Sequence, residues 1–282
     1  MTDRHDSDHD RTFSTELHLD APRDTVWQAI VSDRGLRRWF APDASVDPRI
    51  GGEVVWNWTG HHRWVQRIEI VEPGARLRTR YDSAVDDGEG GKRPLFIDFL
   101  LEGEGGSTTL RLVQSGFGPE ADFDDEYDGI SRGWPVELQS LRLYVERHAG
   151  RVRDLAWAAT SIDTPADLAW QQLTGEQGFG CGTTIDALGM GAPFRFESAD
   201  GEVFEGTALR CQPREFSGIA ASHGDAFLRI SCEAWAGQTH PWCWLGAWNH
   251  PADDLAALQT RWQSMLSQLF PTATATPAGE RN

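Results

Sequence analysis

Asp20-Ala21-Pro22-Arg23-Asp24-Thr25-Val26-Trp27-Gln28 returns later in the chain as Asp163-Thr164-Pro165-Ala166-Asp167-Leu168-Ala169-Trp170-Gln171, with five of nine positions identical at a constant offset of 143 residues. A second echo closes each half: Trp134-x3-Leu138-x2-Leu141 against Trp262-x3-Leu266-x2-Leu269. Self-similarity at a fixed offset settles architecture before any single residue is interpreted, and this period is far too long for a solenoid. The sequence reads as one domain design used twice. A length of 282 residues agrees with two domains of ordinary size. The expected divisions are a disordered tail over residues 1–11, a first domain over 12–150, a second over 151–270 and a disordered tail over 271–282. The short junction around His148 to Arg153 favours domains that touch.

Composition excludes several partners. The formal charge is −17, from 43 acidic against 26 basic residues, and only Lys92 among the latter is a lysine. That balance repels nucleic-acid backbones and anionic membrane surfaces, so neither is expected as a partner. No run approaches the roughly 18 apolar residues that span a bilayer. The polar start MTDRHDSDHDRT does not read as a signal peptide. A soluble cytoplasmic protein is expected. The four cysteines, Cys181, Cys211, Cys232 and Cys243, include no C-x-x-C pair, which points to buried free thiols rather than zinc. A hairpin turning at about Ala236 to Thr239 would set Cys232 directly opposite Cys243.

In the first half, Phe13, Thr15, Leu17 and Leu19 alternate with polar residues, the pattern of a strand with one buried face. Asp20 is expected to cap a helix that has Pro22 just inside its start and buries Val26, Trp27 and Ile30. A second short helix carries Leu36, Trp39 and Phe40 and ends at Pro42. Five strand runs follow, over residues 53–58, 63–71, 76–81, 95–101 and 108–115, separated by turn signals. Trp56 and Trp58 share one face, as do Trp64, Gln66, Ile68 and Ile70. An amphipathic helix over about residues 131–147 then stacks Trp134, Leu138, Leu141 and Val145. Sequential strands with short turns make an antiparallel sheet, and the last helix must cover its apolar face. The expected fold is α+β: a curved sheet wrapped around a long helix, with a cavity between them. The second half repeats the plan, from a strand over 155–162 and a helix capped by Asp163 to a final helix over 252–270. Its glycine-rich stretch 175–191 has no assigned element.

Candidate chemistry is sparse. His61 and His62 lie at a turn without a carboxylate or thiol at ligand spacing, and His5, Asp6, Asp8 and His9 lie in a tail. His240 and Cys243, three apart on one strand, face opposite sides. Asp122, Asp124, Asp125, Glu126 and Asp128 read as a solvated loop before the closing helix, without calcium-loop spacing. No phosphate loop, dinucleotide fingerprint or nucleophile elbow occurs, so no metal and no cofactor are expected. What remains is a set of polar residues directed inward among aromatics: Gln66, Thr79, Tyr81 and Gln114. Buried polar groups need partners, either one another and the backbone, or a ligand.

Several further marks carry a family resemblance. These are Asp-x-Pro-x-x-x-Val-Trp from Asp20, Leu36-x-x-Trp39-Phe40, Gly51-Gly52-Glu53, Glu72-Pro73-Gly74-x-x-Leu77, Ser115-Gly116-Phe117 and Gly133-Trp134-Pro135. Over about Thr12 to His148 the chain resembles the Aha-like (HSP-90 ATPase activator homologue) branch of the START-like SRPBCC superfamily. The second half resembles a diverged copy that keeps the first-helix motif and the closing Trp/Leu helix. The resemblance implies the helix-grip fold, often with an apolar cavity. It does not imply cochaperone activity, because no Asn-rich Trp-His-Trp segment accompanies it; Trp56-Asn57-Trp58 is strand sequence. The expected function is binding of a small apolar or aromatic ligand in the first domain. Trp56, Trp58, Trp64 and Phe117 would line the site, Gln66, Tyr81 and Gln114 would be its polar handles, and Trp134 and Leu138 its lid. A polyketide cyclase/aromatase-like enzyme and a cochaperone-like interaction module are the alternatives. Homodimerisation stays open.

Overall fold

The computed structural model describes residues 10–58, 62–86, 90–185, 187–235 and 237–271. Residues 1–9 and 272–282 of the expected tails, and His61, fall outside these ranges, whereas Arg11, expected in the first tail, begins a strand. The chain divides after Gly150 into two compact units.

Unit 1 runs β1 (Arg11–Leu19), α1 (Arg23–Val31), α2 (Asp33–Leu36), β2 (Asp43–Val46), β3 (Glu53–Trp58), β4 (His62–Glu72), β5 (Arg76–Asp86), β6 (Lys92–Glu102), β7 (Thr108–Phe117) and α3 (Asp124–Arg147). Its strands form one antiparallel sheet in the order β1-β7-β6-β5-β4-β3-β2. Chain neighbours pair throughout, except that β1 closes onto β7. The inward residues Leu17, Leu110 and Leu112 are buried, and α3 covers that face with Trp134, Leu138 and Leu141. This is the helix-grip arrangement.

Local chemistry moves several boundaries. Pro22, with φ −60° and ψ 144°, stands at the N-cap position, and its carbonyl accepts the Thr25 N–H at 2.9 Å. Asp20 therefore sits too early to cap α1, and its own N–H is bound by Glu146 at 3.0 Å. The helix α2 stops at Leu36; Trp39 and Phe40 follow in a turn and are buried all the same. The four-residue β2 carries too little alternation to show in the sequence. In β4 a bulge between Ile68 and Ile70 pairs Ile70 with Arg78, so Ile70 leaves the inward face of Gln66 and Ile68. Finally α3 begins at Asp124 rather than near Ser131. The expected acidic loop is largely its first turns, where Asp124, Asp125 and Glu126 complement the positive helix end.

Unit 2 runs β8 (Asp154–Ala159), α4 (Ala166–Thr174), α5 (Gly182–Ile185), β9 (Pro193–Glu197), β10 (Val203–Gln212), β11 (Glu215–Ala220), β12 (Ala226–Trp235), β13 (Gln238–Ala247) and α6 (Ala252–Leu269). The sheet order is β8-β13-β12-β11-β10-β9. Ile162 makes only an isolated bridge to Thr239, and Pro165, not Asp163, holds the N-cap position of α4. Trp262 on α6 is fully buried, with Phe179 at 5.8 Å and Phe204 at 5.9 Å. The glycine-rich stretch thus supplies both α5 and a core ring, Phe179.

The β12–β13 hairpin is tighter than expected. Trp235 pairs directly with Gln238, which sets Cys232 opposite Pro241 and Cys243 opposite Ile230. Gly237 takes φ 77°, the left-handed geometry a short turn needs. His240 stacks on Trp235 at 4.2 Å, while the Cys243 thiol is directed at the Ala158 carbonyl at 3.8 Å.

Two expectations follow from packing. Burial pushes the Cys232 thiol up to about 12 and the Cys243 thiol well above its ordinary value, and Cys181 is 1% exposed. Thiolate is the reactive form. Iodoacetamide at pH 8 should therefore modify half-buried Cys211 first, leaving the other three untouched until denaturant is added, as read by peptide mass mapping. Gly116 takes φ 102°, and a Cβ there would lie 2.6 Å from the Pro94 carbonyl oxygen. Gly116→Ala should cost about 1–3 kcal/mol in a urea unfolding experiment.

Candidate functional site

Unit 1 gathers its aromatic rings where the turn after α2 meets β3 and α3. That turn is pinned from two sides. The Trp39 indole donates to the Ala29 carbonyl at 2.9 Å, and the Ser140 hydroxyl on α3 donates to the Trp39 carbonyl at 2.7 Å. Phe40 is thereby held inward. It stacks on Trp134 at 5.5 Å and 10°, and meets Trp56 edge-on at 4.7 Å and Trp58 at 5.4 Å. Trp134 in turn meets Trp56 at 6.0 Å and Phe99 at 5.8 Å, both edge-on. Offset and edge-on contacts between rings contribute about 0.5–1.5 kcal/mol each beyond burial.

A directed chain of hydrogen bonds leaves this cluster. The Trp134 indole donates to Gln114 Oε1 at 2.6 Å, and Gln114 Nε2 donates to the Tyr81 hydroxyl at 2.7 Å. Tyr81 donates to Glu126 Oε1 at 3.3 Å, and Ser83 donates to Glu126 Oε2 at 2.6 Å. Burial raises the Tyr81 phenol far above its usual value, and the neighbouring Glu126 charge and hydrogen bond add to this against the opposing donation from Gln114. Tyr81 is a fixed proton donor. Gln66 stands apart, accepting from Thr79 at 2.5 Å. The four inward polar residues are thus satisfied by one another and by Glu126 and Trp134.

One ring of the cluster keeps an unmet donor: Trp56 is 5% exposed, yet its indole N–H meets no acceptor among the described residues.

Of the expected lining, Trp56, Trp58 and Trp134 come together, with Leu138 buried on the same helix. Trp134 lies among Phe40, Trp56 and Phe99. Trp64 pairs across the strands with Trp56 but is 48% exposed, because β4 leaves the covered part of the sheet there. Phe117 belongs to a separate small core with Leu95 and Phe123. Phe40, Phe99, Ser83 and Glu126 were not anticipated. Phe40 had a signal in the Trp39-Phe40 mark, whereas Glu126 was hidden by Gly129, Gly133 and Pro135, which read as a helix boundary.

Among the described residues no group of three or more His, Cys, Asp or Glu side chains is placed to hold a metal ion, and no helix is long and apolar enough to cross a membrane. No curated protein matches the chain. Among solved structures, the Aha1 dimer from Colwellia psychrerythraea is similar at 20% identity, covering 50% of this chain and 99% of that one with a TM-score of 0.42. A protein from Mesorhizobium loti is similar at 23% identity, covering 47% and 94% with a TM-score of 0.41. The di-domain ARO/CYC BexL from the BE-7585A biosynthetic pathway is similar at 15% identity, covering 95% and 100% with a TM-score of 0.40. Residues 20–146, most of unit 1, match the family described as Activator of Hsp90 ATPase homolog 1-like protein.

Proposed function

We propose that unit 1 binds a flat aromatic or apolar small molecule that carries a hydrogen-bond acceptor, at the Phe40–Trp56–Trp134 cluster. The observation that carries this reading is the unpartnered indole N–H of Trp56. A buried donor left unmade costs about 1–3 kcal/mol, which a ligand carbonyl or ether oxygen would recover. The surrounding rings offer the apolar walls typical of small-molecule sites. Since Trp134 lies among these rings, the ligand must take space that its indole now occupies, and Gln114 Oε1 would then be free to accept from the ligand.

A cyclase-like enzyme is the second reading. One observation favours it: a protonated hydroxyl, Tyr81, lies two hydrogen bonds from the cluster, joined to Trp134 through Gln114 and backed by Glu126.

Native mass spectrometry of freshly purified protein should reveal a retained small molecule. Titration should then separate an acceptor-bearing ligand from a bare hydrocarbon. A naphthyl ketone is expected to bind wild type roughly tenfold more tightly than naphthalene, equivalent to about 1.4 kcal/mol, and Trp56→Phe should erase that preference without lowering stability. Equal affinities in both proteins would overturn the reading. Gln114→Leu strands the Trp134 N–H and removes one donor from the Tyr81 hydroxyl, which keeps its bond to Glu126. It should lower the unfolding free energy by about 1–3 kcal/mol with no ligand present.

A further inference from the structure

Unit 2 carries a hydroxyl–imidazole–carboxylate relay that its sequence does not announce. Ser222 and His223 lie in a single 3-10 turn, Ala221–His223, between β11 and β12. Glu202 directly precedes β10, and Arg261 projects from α6. His223 Nδ1 is 2.9 Å from Ser222 Oγ, and its Nε2 is 3.2 Å from Glu202 Oε1. The other Glu202 oxygen accepts from Arg261 at 2.6 Å, and Arg261 Nε donates to Asp200 at 2.7 Å. The imidazole is 5% exposed and lies between two parallel rings, Phe204 at 4.7 Å and His250 at 5.5 Å. Ser222 is exposed, and its oxygen receives the Glu205 backbone N–H at 3.0 Å.

These contacts assign the tautomer. The Glu202 carboxylate, paired with Arg261, only accepts, so Nε2 carries the ring proton. The neutral ring then presents the Nδ1 lone pair to the Ser222 hydroxyl. Charged or titratable groups face the ring from each side: Glu202 ahead of β10, and His250 ahead of α6 with Asp254 4.0 Å from its Nδ1. Burial holds the His223 imidazole below its ordinary value, His250 adds to this, and Glu202 opposes it. The ring is thus a neutral base near pH 7. Directly after it, Gly224 and Asp225 both take left-handed backbone angles, φ 68° and 60°, and turn the chain into β12. Left-handed non-glycine residues are uncommon, and they gather at sites where a side chain must be aimed.

We propose that Ser222 is an activated nucleophile that accepts acyl groups from small activated esters and phosphoryl groups from fluorophosphates. With an ester, Ser222 Oγ bonds to the carbonyl carbon while its proton passes to His223 Nδ1. The bond to the leaving oxygen then breaks, and that oxygen takes the proton from Nδ1 and departs as an alcohol. Water, deprotonated by the same nitrogen, cleaves the seryl ester to a carboxylic acid and restores the hydroxyl. Glu202 steadies the transient imidazolium, and Arg261 is a positioning residue that holds Glu202 in place. The arrangement is the nucleophile–base–orienter logic of serine hydrolases, met by contacts rather than by chain order.

The test is covalent labelling of the full chain with diisopropyl fluorophosphate, read by intact mass and peptide mapping. In that reaction Ser222 Oγ bonds to phosphorus, its proton passes to His223 Nδ1 and the P–F bond breaks to release fluoride. One adduct is expected, on Ser222. Ser222→Ala should lose it, and Glu202→Gln and His223→Gln should slow it by about a hundredfold, the scale of general-base assistance. Circular dichroism checks that each variant is folded. The rate should also fall as pH drops and the imidazole takes up a proton. No adduct on wild type, an adduct spread evenly over exposed serines, or labelling unchanged in the folded Glu202→Gln variant would overturn the proposal.

Discussion

An antiparallel sheet with one apolar face keeps its shape only while something dry covers that face. In both units the cover is the last helix, and in both it presses a tryptophan into the concave side. Trp134 packs against Phe40, Trp56 and Phe99, and Trp262 against Phe179 and Phe204. Removing a buried side chain of this size typically costs about 3–5 kcal/mol, a large share of a small domain's stability. Strand pairing alone does not replace it, because isolated ladders are marginal in water.

The two units handle the polar end of that tryptophan differently. In unit 1 the Trp134 N–H enters a hydrogen-bonded chain through Gln114, so the closing helix is tied to β7 and β5 by polar as well as apolar contacts. In unit 2 the Trp262 N–H has no acceptor among the described residues, and the core around it is built of alanine, phenylalanine, leucine and other apolar side chains. A packed aromatic core tolerates an orphaned donor when the buried area around it outweighs the loss. In unit 1 the orphaned indole N–H lies on a strand, at Trp56, rather than on the helix.

The architecture was legible because the repeat, the period-two strands and the amphipathic closing helices all agree, as locally consistent sequences should. Glu53–Trp58 reads directly from its alternation. What was not legible depends on geometry that pattern does not encode. A single bulge moved Ile70 to the other face, and a tight β12–β13 turn shifted the cysteine register by two residues. The start of α3 was hidden by glycines and a proline that tertiary packing overrides. The polar chain beside the cluster needed Glu126 from that concealed first turn. The relay in unit 2 joins Glu202 to His223 across 21 positions of sequence, with no motif between them.

The near-absence of lysine has a consequence at alkaline pH. With Lys92 the one exception, every basic partner in the ion pairs of this chain other than histidine is an arginine, which keeps its charge beyond the point where lysine would lose it. Contacts such as Arg76 with Asp98 at 2.7 Å therefore persist in strong base. Base instead acts on groups that the fold keeps uncharged. Cys232, Cys243 and Tyr81 all have raised values in the folded chain, so the unfolded chain gives up those protons first. The stability they lend is whole below their ordinary values, about 8.5 for a thiol and 10 for a phenol, and drains away as pH climbs past them. Alkaline failure of this protein begins in its apolar interior, with the ionic surface still intact.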